Sequence, residues 1–197
     1  MVLVGMTGCA EKGPILLAIT YQAPTDKTVL SKNAAVAVSP FIDSRVVNGS
    51  VLGRRTVSNG MENDLVTQGS VADLVTSKLK TALQARGAAV KNSGDWNLTA
   101  EGMPSNGARI VISGEIKSFW IDSVSVPFKT TMKTNVQLKV VVGDTTEKKI
   151  LRILDVNSKV EQEVLYSEEK LNSVMSEALS AALDQIFKDD IVKQKLQ

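Results

Sequence analysis

The sequence predicts an α+β fold: a mainly antiparallel sheet with two long helices packed on one face. Three observations carry that expectation. Segments 109–123, 128–142 and 149–165 alternate apolar and polar residues, as strands with one wet face do. Segments 70–86 and 168–188 repeat apolar residues at spacings of three and four, which lines one side of a helix. A chain of 197 residues with 43% hydrophobic content also has enough material to bury a core without disulfides.

Taken in order, residues 10–33 mix Pro14, Pro24 and scattered charges and read as an extended tether. The alternation of Ile15, Leu17, Ile19 and Tyr21 allows a short edge strand within it. Ala34 to Ile42 is a short apolar run closed by Pro40, hence a buried strand rather than a helix. Residues 43–69 hold Gly49, Gly53, Gly60 and Gly69 among polar residues and read as a long loop, a kind that is usually functional or mobile. The helix at 70–86 opens on a capping box, Ser70 with Asp73, and presents Val71, Leu74, Val75, Leu79, Ala82 and Leu83 on one face. Arg86 and Gly87 end it with a cation at the helix C-terminus and a residue free to take positive φ.

Ala88 to Val90 leads into a second short strand, and 92–108 is turn-rich, with Trp96 to Thr99 able to pair as a strand. Pro127 marks the turn between the first two long strands and Gly143–Asp144 the next. A strand of about 14 residues would span roughly 46 Å, so bends or bulges are expected. Ser167 before Glu168 and Glu169 starts the last helix, striped by Leu171, Val174, Met175, Ala178, Leu179, Ala182, Ile186 and Phe187.

Composition excludes several chemistries. Lys and Arg total 23 against 21 Asp and Glu, a net charge of +2 that points to no strongly charged partner. With 4% aromatic residues there is no basic, aromatic stripe of the kind that binds nucleic acid. The chain has no histidine, which removes Ser-His-Asp triads, imidazole acid–base work and His-ligated metals. One cysteine excludes an internal disulfide and any multi-cysteine metal site. Neither a G-x-G-x-x-G, a Walker A nor a G-x-S-x-G string occurs. The acidic pairs Glu168/Glu169 and Asp189/Asp190 are adjacent in sequence, so they suit helix ends rather than a facing catalytic dyad. The expectation is a protein that is not an enzyme, with no catalytic residues, no metal site and no cofactor.

Two short motifs stand out in the middle of the chain. Asp43 and Arg45 sit two apart just past a strand end and can share a face; Arg54 and Arg55 follow Gly53 in the long loop. Paired arginines suit bidentate recognition of a carboxylate or phosphate, so these four are the candidate partner-binding residues. The plainer alternative is a solvated ion pair and a polar loop.

At the N-terminus, MVLVGMTGCA places Thr7 and Gly8 directly before Cys9. These residues resemble the lipobox of bacterial lipoproteins, in which the signal peptide is cleaved before the cysteine and the thiol carries a diacylglycerol. Met6 stands where that family more often has Leu. No Lys or Arg precedes Cys9, so the resemblance implies a start upstream of Met1. The chain then divides into a truncated signal-peptide remnant (1–8), a lipidated tether (9–33) and a single α+β domain (34–197). No segment reaches the roughly 18 apolar residues of a spanning helix, so acyl chains would do the anchoring.

The lipobox, AVAVSPFIDSR, VLGRR and the capped helix ending in QARGAAV together resemble the YajG-like family of bacterial lipoproteins. That resemblance implies an α+β lipoprotein facing the periplasm, of undetermined activity and with no catalytic residues to carry over. By the sorting logic of such proteins, Ala10 after Cys9 implies the outer membrane. The leading functional reading is a lipid-anchored binding or assembly module, bound to the membrane through its lipid and to an unknown envelope protein or small ligand. The alternative is an auxiliary lipoprotein of an envelope transport system, using an apolar groove lined by Phe119, Trp120, Ile121 and Phe128.

Overall fold

One long strand organises the sheet. In the computed structural model, which describes residues 13–25, 29–30, 35–105 and 107–196, β7 (Ile110–Val126) pairs antiparallel along its length with β8 (Lys129–Asp144). Its other edge is filled in succession by β2 (Ala35–Val38), β3 (Ile42–Asp43) and β4 (Val51–Val57), all parallel to it. Beyond β2 lies β6 (Ala89–Asn92), parallel; beyond β4 lies β5 (Glu62–Val66), antiparallel, then β1 (Ile15–Leu16), parallel to β5. The far edge of β8 carries β9 (Lys149–Ser158) and β10 (Glu161–Val164), both antiparallel. Helices α1 (Val71–Gln84), α2 (Glu168–Ile186) and α3 (Asp190–Leu196) complete the described fold.

This corrects the expected architecture. The sheet is ten-stranded and mixed, with parallel pairing throughout the β2, β3 and β4 edge, and its helices are short. Alternation records which strand face is wet and carries no information about the direction of a neighbour. Parallel neighbours follow from the connections: β2 and β6 are separated by β3, β4, β5 and α1, and so long a crossover can return the chain in the same direction.

The segment 43–69, read as a loop, contains β3's Asp43, β4 and β5. The β4–β5 hairpin has a register shift between Val51 and Gly53. Gly53 is there for proximity rather than flexibility: a Cβ on it would overlap the Ile121 carbonyl oxygen of β7. Long-strand bulges fall between Ile116 and Ser118 and between Val142 and Gly143. Trp96 to Thr99 forms no strand; Leu98 takes φ 63° and the Trp96 indole N–H donates to the Thr99 carbonyl at 2.7 Å.

The core is split between the two faces. Odd and even positions of the central strands separate it: Val36, Val38, Ile110, Ile112, Val140 and Val142 join the buried residues of α1 and α2 in the main cluster. Ala37, Val111 and Val141 point the other way, where Trp96, Met103 and Ala108 cover them. The 93–108 segment thus dries the second face at that end of the sheet.

Residues 17–22, expected within a tether, lie along α2. Leu17 and Ile19 are buried, and the backbone N–H groups of Ala18, Thr20 and Gln22 donate to the side chains of Asn172, Ser176 and Ser180 at 2.9, 3.0 and 2.8 Å. The match is geometric. Two extended residues advance about 6.6 Å and four helical residues about 6.0 Å, so a period of two on one element meets a period of four on the other.

The β7–β8 turn is Val126-Pro127-Phe128-Lys129, with Val126 paired to Lys129. Phe128 sits at φ 65°, a position that Pro127 before it makes a type II turn and that glycine ordinarily fills. The residue is 94% exposed.

Candidate functional site

The end of the sheet formed by β1, β5, β4, β7, β8 and β10 brings the polar side chains together. Arg54 and Arg55 are neighbours on β4 and therefore face opposite sides of the sheet. Arg54 lies on the outer face, exposed, and pairs across the strand with Glu62 at 3.1 Å and Asp64 at 3.7 Å. In register beside it come Asp122 of β7, Lys133 of β8 and Glu161 of β10. Lys133 meets Glu161 at 2.9 Å, and one step along Lys129 meets Glu163 at 2.7 Å. The outer face is a solvated ladder of alternating charge five strands wide, with the carboxylates Glu62, Asp64, Asp122, Glu161 and Glu163 outnumbering Arg54, Lys129 and Lys133; each exposed pair is worth about 0–1 kcal/mol. A shallow cavity of about 660 Å³ lies at its edge, lined by Arg54, Glu62, Asp64, Asn48, Ser50 and neighbouring residues.

Arg55 faces the helices. Its guanidinium carbon stands 3.6 Å from the centre of the Tyr166 ring, and its Nε is shut off from solvent with no hydrogen-bond partner. Both residues line a groove of about 460 Å³ with Gly13, Pro14, Ile15, Leu16, Met61, Asn63 and Glu168. Burial pushes the Tyr166 phenol above its ordinary range; the Arg55 charge pulls against that, while Glu168 and Glu169 add to it. In register with Arg55 on β7 is Ser123, fully buried, whose hydroxyl also lacks a partner. Beyond it the Ser125 and Thr130 hydroxyls bond to each other at 3.0 Å. A helix-facing surface that elsewhere is aliphatic here becomes polar.

Asp43 and Arg45 do meet, but as an internal clamp. Arg45 donates to both Asp43 carboxylate oxygens at 2.8 Å, and to the carbonyls of Val51, Phe119 and Gly49. Its side chain is 5% exposed, so its donors are spent on tying β3, the β4 entry and β7 together. The Arg45 hydrogen bonds hold the Asp43 carboxyl below its usual value against the effect of burial. Cys9 lies outside the described residues. The residues expected to line an apolar groove do not converge: Phe119 and Ile121 are buried in the core, Trp120 donates to Asp122 at 2.8 Å, and Phe128 stands at the β7–β8 turn.

The sequence reading missed a second buried cation. Arg86, taken as a helix-ending charge, is 3% exposed; it donates to the Tyr21 hydroxyl, to Asp184 at 2.8 Å and to the Ala82 carbonyl. Its guanidinium also lies 4.0 Å from the centre of the Phe187 ring. Tyr21 donates to Asp184 at 2.6 Å; burial and that bond push its phenol up to about 12. The spacing of Asn172, Ser176, Ser180 and Asp184, four apart beside the apolar stripe, is the signal that a second element runs along α2. Among the described residues no helix is long and apolar enough to cross a membrane.

No protein-family model matches the chain, and no curated protein sequence does. Solved structures do match. Protein XCC0632 from Xanthomonas campestris, of the DUF330 family model, superposes with a TM-score of 0.54 at 12% identity, covering 92% of this chain and 93% of that one. A homolog of the neuraminyllactose-binding hemagglutinin from Helicobacter pylori gives 0.48 at 12% identity, with 87% and 91% covered. PelC from Paraburkholderia phytofirmans, solved as a dodecamer, gives 0.39 at 14% identity, with 79% and 91% covered. The first of these shows a shared fold.

Proposed function

We propose that the protein is a non-catalytic binding or assembly module of the bacterial envelope, anchored by lipid at Cys9, facing the periplasm, and engaging its partner at the Arg55–Tyr166 groove. The observation that carries the binding site is Arg55 itself. A cation stacked on an aromatic ring, with an Nε withheld from water and unpaired, leaves a donor unsatisfied at a cost of about 1–3 kcal/mol. A carboxylate or phosphate entering the groove would pair with the guanidinium that lines it. Anchoring and the outer-membrane location are supported by the lipobox-like Thr7-Gly8-Cys9 and by the YajG-like resemblance.

The test separates the two arginines. Partner capture is measured by cross-linking and mass spectrometry in intact envelopes of cells expressing the full chain. Arg55→Met is expected to lose the specifically captured species, while Arg54→Ala keeps them, because Arg54 is neutralised on the solvated face. An unchanged set with Arg55→Met rejects the groove. The same samples report the mass of the mature N-terminus, and an unacylated protein retaining residues 1–8 rejects the anchor.

A further inference from the structure

We propose that the β7–β8 turn is a membrane-contacting tip, with Phe128 entering the interfacial region of the lipid bilayer. Four large apolar side chains are exposed at this end of the sheet: Val124 at 49%, Val126 at 50%, Phe128 at 94% and Leu165 at 70%. Phe128 contributes nothing to the core, yet it occupies a left-handed backbone position that glycine would fill without strain. A strained backbone presenting an aromatic ring to solvent is a feature aimed outward.

The fold decides what the tip faces. β1 runs parallel to β5, so the described chain enters at Gly13, whose carbonyl accepts from the Asn63 side chain at 2.9 Å. Asn63 is in register with Arg55, and Arg55 with Ser123 of β7. Val126 stands three residues past Ser123, roughly 10 Å at 3.3 Å per residue, with the turn just beyond it. Cys9 lies four residues before Gly13, a reach of at most about 14 Å. Acyl chains on Cys9 can therefore reach a bilayer surface at the level of the tip. This geometry rests on the lipid-anchored reading.

An exposed aromatic ring at a turn suits the headgroup level of a bilayer, and Lys129 after it is paired with Glu163 at 2.7 Å.

The experiment uses vesicles of phosphatidylethanolamine and phosphatidylglycerol in which part of the lipid is brominated. The acylated Phe128→Trp chain, with Trp120→Phe to silence the other half-exposed indole, should show blue-shifted emission quenched severalfold by the brominated lipid. Emission that stays red-shifted and unquenched overturns the proposal, and cross-links between copies through the tip would then identify a second copy as its occupant. The acyl group is read separately by mass. If it is absent, the anchor reading falls alone, and the same measurement on the Cys9→Ser chain with excess vesicles still decides the tip. Phe128→Gly should raise Tm by a degree or two while lowering the vesicle-bound fraction of the Cys9→Ser chain severalfold. A lowered Tm, or an unchanged bound fraction, counts against the proposal.

Discussion

The two halves of the sheet share β7 and β8 but are finished differently. In the half with β2, β6 and β9, both faces are covered: α1 and α2 close one, and Trp96, Met103 and Ala108 close part of the other. In the half with β1, β4, β5 and β10, the outer face is the charged ladder and the inner face carries Arg55, Ser123, Ser125 and Thr130. Continuous strands carry rigidity from the first half into the second. The second is then free to hold unpaired polar groups that a small isolated sheet could not tolerate. Covered faces supply the stability, and the polar half presents the groove.

The comparison can be broken most severely at α1. Leu79 is fully buried, and Leu79→Asp places an unpaired carboxylate under the covered half, at a cost of about 4 kcal/mol or more. Val124→Thr on the outer face of the polar half should stay within about 0.5 kcal/mol. Urea unfolding followed by circular dichroism measures both. Similar losses would mean that stability is spread evenly over the sheet.

A smaller effect sharpens the difference between the two outer faces. Trp96→Ala uncovers Val111 and Val141 and should cost about 3 kcal/mol, whereas Arg54→Ala removes exposed pairs worth about 0–1 kcal/mol. A Trp96 variant that melts with the wild type would show that the 93–108 segment is only laid over the sheet.

The mildest probe is pH. Tyr21 titrates at about 12 in the fold against an ordinary value near 10, so its contribution is complete below about pH 10 and is lost as pH rises through about 12. Asp43, Asp144 and Asp189 are held below their usual values, so their contributions are complete above about pH 4 and are lost as pH falls through the lowered values. For Asp144 burial alone would raise the carboxyl, and the Glu147 and Thr146 N–H groups with the Arg109 side chain outweigh it. Tyr21→Phe should lower stability by about 1.5 kcal/mol at neutral pH and flatten the alkaline loss. An alkaline limb identical to wild type would place its origin elsewhere.

What could be read in advance follows from which interactions are local. Ser70 and Ser167 accept from the N–H groups of Asp73 and Lys170 at 3.0 and 3.2 Å, so both helix starts were legible in a four-residue window. The long strands were legible because period two repeats over many residues. Strand direction, by contrast, depends on partners far away in sequence: Ala37 beside Val111, Arg54 beside Asp122. Gly53 looked like loop punctuation, yet it marks a close approach to β7 that no local pattern contains. Of the candidate residues, Asp43 and Arg45 were correctly seen as neighbours, but the carbonyls that occupy Arg45 come from remote backbone. Arg54 and Arg55 could not be separated until β4 placed them on opposite faces.

The bonds joining residues 18–22 to α2 also set the timing of folding. They link positions 154 to 158 residues apart in a chain of 197. Contacts of such long range slow folding, since the loop must close before the contact is rewarded. Leu17 and Ile19, among the first residues described, wait for a helix that begins at Glu168. A chain interrupted before that helix leaves them uncovered together with the helix-facing side of β8. The interval before the two ends meet is therefore when this protein is most prone to aggregate.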